Sequence, residues 1–168
     1  MPVFVVDSNF FINAHRDTYP LDVAHSFWNK VKTLAADGKI ISIDKVKEEI
    51  YSYNEDALQT WCSDNLDGSF FRDSGSVLSS TYPNVLQWAT SRTPQYLQRA
   101  LNEFMAADKA DAFLIAYALT DSANLTITTL EVSAPQGINR VKIPDACSGL
   151  GINSCNTISM FRQLGETF

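Results

Sequence analysis

A chain of 168 residues with 13 Lys+Arg against 19 Asp+Glu, and a net charge of −6 with His neutral, suits one domain that buries roughly 70% of its unfolded surface without a disulfide or structural metal. Hydrophobic residues at 45% and charged residues at 19% exclude an intrinsically disordered chain, and no apolar run reaches the ~20 residues of a membrane span. The acidic balance excludes a protein that coats nucleic acid by bulk charge, so only a local site is left to engage phosphate.

The segment Met1 to Ile12 is apolar but short. It lacks a basic lead-in and carries Asp7 in its middle, unlike a signal peptide. Cys62, Cys147 and Cys155 are odd in number and without CxxC spacing, as expected of reduced thiols in a cytoplasmic protein. Val3-Phe4-Val5-Val6 is an uninterrupted β-branched run, the pattern of a strand buried on both faces, and it ends at the turn or cap formers Asp7-Ser8-Asn9. From Leu21 to Ala36 the apolar residues Ala24, Phe27, Trp28, Val31, Leu34 and Ala35 form a helical stripe that Gly38 closes. Ile40 to Ile43 is a second short strand, after which Asp44 caps a helix carrying Val46 and Ile50. Ala57, Leu58 and Trp61 predict a further helix, and Asp64 to Thr81, rich in Ser, Asp and Gly, reads as loop.

Val85 to Ala89 reads as helix. Thr93-Pro94 is a cap followed by proline at the first helical position, with Leu97, Ala100, Leu101 and Phe104 as the buried stripe. Ala112 to Leu119 is apolar nearly all round and predicts a helix in the middle of the fold. Leu125 to Thr128 is a third strand, Val141-Lys142-Ile143 before Pro144 an edge strand, and Asn156 caps a last helix with Ile158, Phe161 and Leu164. Strands separated by helices of this length mean crossovers and a parallel sheet covered on both faces. Residues 1–168 therefore read as a single α/β domain, an α/β/α sandwich with a short, mostly parallel central sheet.

Ligands of such sheets bind beyond the carboxyl ends of the strands, which directs attention to the acids there. Asp7 follows the first strand and Glu131 follows the Leu125–Thr128 strand. Glu49 stands on the helix after the second strand, and Asp111 opens the buried helix with Asp108 one turn earlier. Each acid alone has a structural explanation as a cap or a solvated side chain. Asp111 is the hardest to explain so, because it adjoins an almost wholly apolar helix where a carboxylate needs compensation. Lys109 is one source of it. Carboxylates gathered at one end of a sheet repel one another unless a cation neutralises them, and oxygen ligands without His or Cys select Mg²⁺ or Mn²⁺.

VVDSNFF at the start, VKEEI after a short strand, ADAFLIAYAL on a buried helix and TITTLE after the next strand together resemble the PIN domain, a metal-dependent ribonuclease fold. The resemblance runs from Val3 to about Gly151 and puts the family's acidic positions on Asp7, Glu49, Asp111 and Glu131, with Glu48 the neighbouring alternative to Glu49. DALQTW and IPDAC mark a longer branch. Glu131 stands where most PIN nucleases have Asp, and its extra methylene moves the carboxylate by roughly one C–C bond, where placement matters. The resemblance implies Mg²⁺- or Mn²⁺-dependent hydrolysis of RNA phosphodiesters, two cations about 3.5–4 Å apart serving an in-line displacement. Asp7 would be the central ligand, Glu49 and Asp111 further ligands, and Asp108 and Glu131 ligands direct or through water. Ser8 and Thr129 would orient the water or a carboxylate, and Lys45, Lys47, Arg92, Arg99 and Arg140 would line the approach of RNA. Many family members are VapC-type toxins of bacterial toxin–antitoxin pairs, which implies an antitoxin partner, and they often form homodimers.

The rivals are weaker. A phosphohydrolase with an Asp nucleophile wants a second Asp where Asn9 stands, and a receiver domain lacks its acidic pair. A non-catalytic PIN-like interaction or RNA-binding module is kept open by Glu131. His15 and His25 join no Ser, Cys or Asp constellation of a hydrolase triad. Gly149-x-Gly151 reads as a helix end, and Trp28, Trp61 and Trp88 as core residues rather than base-stacking ones.

Overall fold

The structure, a computed structural model, describes residues 2–52, 56–92 and 95–168. Val3–Val6 forms β1 and Ile40–Ile43 forms β2. All of β2 is buried, as is β1 after Val3. Successive strand side chains point to opposite faces, so this continuous burial means that both faces of the sheet are covered. Phe71–Arg72 (β3), Leu125–Thr128 (β4) and Asn153–Cys155 (β5) complete a five-stranded sheet in the order β3-β2-β1-β4-β5, parallel throughout. The chain winds outward from β1 to β3 and then crosses to the other side of β1 to add β4 and β5. The winding therefore reverses between β1 and β4, where Val6 stands opposite Thr128.

Asp7 caps α1 (Ser8–Asn13) by accepting from the Ser8 N–H, and a π-helical turn at Ala14–Thr18 follows. α2 is His25–Ala36, α3 Asp44–Ser52 and α4 Asp56–Asn65. α5 is Tyr82–Ser91, α6 Gln98–Phe104, α7 Ala110–Leu119, α8 Ile143–Leu150 and α9 Thr157–Leu164. On one side α7, buried nearly all round, packs on β4 and against α3, α5 and α8. α2 lies by β2, with Phe27 meeting Phe161 of α9 and Trp28 meeting Trp61 of α4. No helix among the described residues is long and apolar enough to cross a membrane.

Four local expectations need correction. α2 begins at His25, residues 21–24 being turn and coil. The Asp64–Thr81 stretch is not all loop: it ends α4 and holds β3 and a 3₁₀ turn at Gly75–Ser79. Val141-Lys142-Ile143 is no edge strand, because Lys142 is extended only as the N-cap and Ile143 opens α8, with Pro144 in the first turn where its missing N–H costs nothing. The edge strand beside β4 is β5, which is short and polar. Asp108 precedes α7 rather than sharing a face of it. Thr93-Pro94 lies outside the described residues, and the helix expected after it starts at Gln98.

Candidate active site

Asp7 is 3% exposed at the carboxyl end of β1. Its Oδ1 accepts from the Ser8 N–H at 2.7 Å, and its Oδ2 accepts from the Thr129 hydroxyl at 3.0 Å. The β1–β4 pairing continues past the strands through the Asp7 N–H to the Thr128 carbonyl at 3.0 Å, which brings Thr129 behind Asp7. Asn9, the second residue of α1, fixes the segment after β4: its Nδ2 donates to Thr129 Oγ1 at 3.3 Å and its Oδ1 accepts from the Leu130 N–H at 3.1 Å. Glu131 follows at once, with its own N–H donating to Thr129 Oγ1 at 3.2 Å.

Glu49 reaches in from α3. Its Oε2 accepts from the Ser8 hydroxyl at 2.7 Å and its Oε1 from the Ala110 N–H at 2.9 Å, so it satisfies one of the orphan donors at the N-terminus of α7. Glu131 does the same for α8, its Oε2 accepting from the Ile143 N–H at 2.7 Å. Asp111 stands in the first turn of α7. Asp7, Ser8, Glu49, Asp108, Asp111 and Glu131 all line one cavity of about 660 Å³, at the point where the winding reverses. Glu48 also reaches its wall, but from an exposed position, paired with Lys45 at 3.6 Å. Glu49 is therefore the inward member of the pair. Thr129 lies outside this cavity and acts on it through Asp7.

The electrostatics follow from the crowding. Burial, then the charges of Glu131 and Glu49, raise the Asp7 carboxyl from 3.8 to about 7, against the pull of its two hydrogen bonds. Burial first, and then Asp7, Glu131 and Glu49, raise Asp111 well above its ordinary range, with Arg140 opposing. Arg140 Nη2 is 2.7 Å from Glu131 Oε1 and 3.5 Å from Asp111 Oδ2. Burial works against its charge, but Glu131 and Asp111 outweigh that and hold the guanidinium still more firmly protonated.

A family model described as a domain of unknown function, DUF4411, matches residues 4–168. The chain belongs to the DUF4411 family. No curated protein and no solved structure matches the sequence. All the cavity acids of this DUF4411 member fall inside the matched region.

The donor set of the DUF4411 site fits a hard divalent cation: carboxylate oxygens with no His or Cys on the described cavity wall. Burial first, and then mutual repulsion, raise Asp7 and Asp111, and the repulsion is what such an ion relieves. As they stand, however, no three His, Cys, Asp or Glu side chains among the described residues are gathered to hold a metal ion. The physical reason is visible in the contacts: Glu49 and Glu131 are turned onto helix N-termini, and Arg140 joins Glu131 to Asp111.

The basic residues expected along the approach mostly lie elsewhere in the DUF4411 fold. Lys45 sits over the Phe113 ring, Lys47 over Tyr51 and Phe71, and Arg92 over Trp88. Arg99 reaches Asn139. None of these four is on the cavity wall, whereas Arg140, Arg16 and Lys109 are. Arg16 and Asn9 were not legible as site residues. Arg16 is brought there by the π-helical turn after α1, which no apolar period announces.

Proposed function

We propose that this chain is a PIN-type endoribonuclease that hydrolyses RNA phosphodiesters with Mg²⁺ or Mn²⁺ held by Asp7, Glu49, Asp111 and Glu131, with Asp108 at the rim. One observation carries this reading: carboxylates from four separate stretches of chain open into a single cavity at the switch point of a parallel sheet. When bound there, divalent cations would supply the activation of water and the stabilisation of the leaving 3′ oxygen.

The chain's own residues provide the rest. Ser8 and Thr129 hold Glu49 and Asp7 in orientation, and Asn9 fixes the backbone that delivers Glu131. Lys109, on the wall beside the carboxylates, is placed to meet phosphate oxygens. The decisive assay is cleavage of single-stranded RNA with Mn²⁺, Mg²⁺ or a chelator. Cleavage should need the metal, and Asp7→Asn or Asp111→Asn should slow it at least about 100-fold with the circular dichroism spectrum retained. Wild-type rates in either variant exclude the assignment.

The resemblance extends the proposal to the toxin of a bacterial toxin–antitoxin pair acting in the cytoplasm, with an antitoxin partner and self-pairing. Induced expression should then arrest growth, and co-expression of the neighbouring small open reading frame should relieve it. A second reading, a PIN-like scaffold that binds RNA or a partner without cutting, draws on the helix-capping roles of Glu49 and Glu131. It requires that Mn²⁺ neither bind tightly nor provoke cleavage.

A further inference from the structure

Arg140 meets two of the inward cavity carboxylates, Glu131 and Asp111, with one nitrogen. The carboxylates are withdrawn, with side-chain exposures of 7% for Glu131 and 20% for Asp111, whereas Arg140 is 52% exposed. The guanidinium thus covers the acids from the solvent side. Its position is not that of a loose surface arginine, because the backbone on either side is pinned. Before it, the Leu97 N–H donates to the Ile138 carbonyl at 3.0 Å and Arg99 Nη2 donates to Asn139 Oδ1 at 2.8 Å. After it, Val141 is buried and the Ile143 N–H holds Glu131 Oε2.

Glu131 therefore has one oxygen committed to the helix α8 and the other to Arg140. A cation taken up by Glu131 and Asp111 together has to share or replace the guanidinium's contacts, and two positive groups around the same two carboxylates repel. Building on the metal-nuclease proposal, we infer that Arg140 is an internal gate on metal loading: its guanidinium and a divalent cation are alternative counter-ions for Asp111 and Glu131. Binding of either weakens the other by the same factor.

The test uses the full-length chain stripped with chelator and titrated calorimetrically with Mn²⁺ alone. Arg140→Gln should tighten Mn²⁺ binding at least tenfold and enlarge the Mn²⁺-induced rise in melting temperature. Lys109→Gln removes a cavity-wall charge that makes no ion pair with these carboxylates, and should change affinity less than threefold. An equal gain in both variants overturns the gate in favour of bulk charge. If Arg140→Gln does not fold without metal, Arg140→Lys carries the test, since it keeps the charge but loses the planar reach to two carboxylates. Mn²⁺ affinity at or below wild type in that variant overturns the gate. Unchanged affinity in Arg140→Gln beside a wild type that binds Mn²⁺ overturns the gate alone. Absence of Mn²⁺ binding in wild type and variant alike overturns the metal-nuclease proposal and the gate with it.

Discussion

Asp7 owes its raised carboxyl first to burial and then to Glu131 and Glu49, with the Thr129 hydroxyl pulling the other way, and the chain brings all three neighbours from far away. Its carboxyl titrates at about 7 instead of 3.8, so between those values the folded chain binds a proton that the unfolded chain has released. Stability from a raised acid is complete below the unfolded value and is lost as pH climbs through the folded one. In chelator, the free energy of unfolding should therefore fall from pH 5 to pH 8. Asp7→Asn should flatten that slope and exceed wild type at pH 8 by about 1–3 kcal/mol. Urea denaturation at each pH measures this, and a variant weaker than wild type at pH 8 would show that the ionised carboxylate is a favourable anchor. The acids themselves were readable because Asp7 and Glu131 follow strands, Asp111 opens an apolar helix and Glu49 adjoins the core residue Ile50. The partners that fix them were not. Asn9 acts across 121 residues on Leu130, and a contact of that separation leaves no local pattern. Lys45 and Lys47 were misplaced for the same reason: their aromatic neighbours, Phe113 and Phe71, come from other elements.

Among the elements, β1, β2 and β4 were legible because buried parallel strands write continuous apolar runs. β5, Asn153–Cys155, is mostly exposed and polar, and β3 has two residues, so neither carries a period. The error at Val141–Ile143 is instructive. Val141 and Ile143 are both buried, yet the backbone turns into α8 there, and the proline taken as a strand's end is a helix's first turn. α8 then meets α5 at a close approach: a Cβ on Gly149 would lie 2.1 Å from Trp88 Nε1. Gly149→Ala should cost about 1–3 kcal/mol, as overpacking against a ring that has to shift does. Trp88→Leu in the same chain should return part of that loss, which a thermal-melt double-mutant cycle would detect as non-additivity. Additive effects would mean that the helices separate freely. Since α8 receives the Glu131 carboxylate at its N-terminus, a shift of α8 is also expected to reach the cavity.

At the level of the molecule, a net charge of −6 sets how RNA is met. Only three cationic side chains, Arg16, Lys109 and Arg140, stand on the described cavity wall, and Arg140 is paired. Counter-ion release on binding single-stranded RNA should then be slight. The slope of log affinity against log salt should be about −2 or shallower in a filter-binding titration. A slope steeper than about −4 would require a basic surface wider than the cavity supplies. The α/β class, one sheet covered by helices, followed from alternating strand and helix signals. The strand order β3-β2-β1-β4-β5 did not, because pairing partners are a matter of packing and not of local pattern. That order also dictates when during synthesis the cavity comes into being. A ribosome delivers β1 and β2 long before Leu125–Thr128 arrives to zip along Val3–Val6 and set Thr129 against Asp7. Chains that stop short of β4 hold scattered acids, and whatever chemistry these carboxylates support is switched on only once β4 is in place.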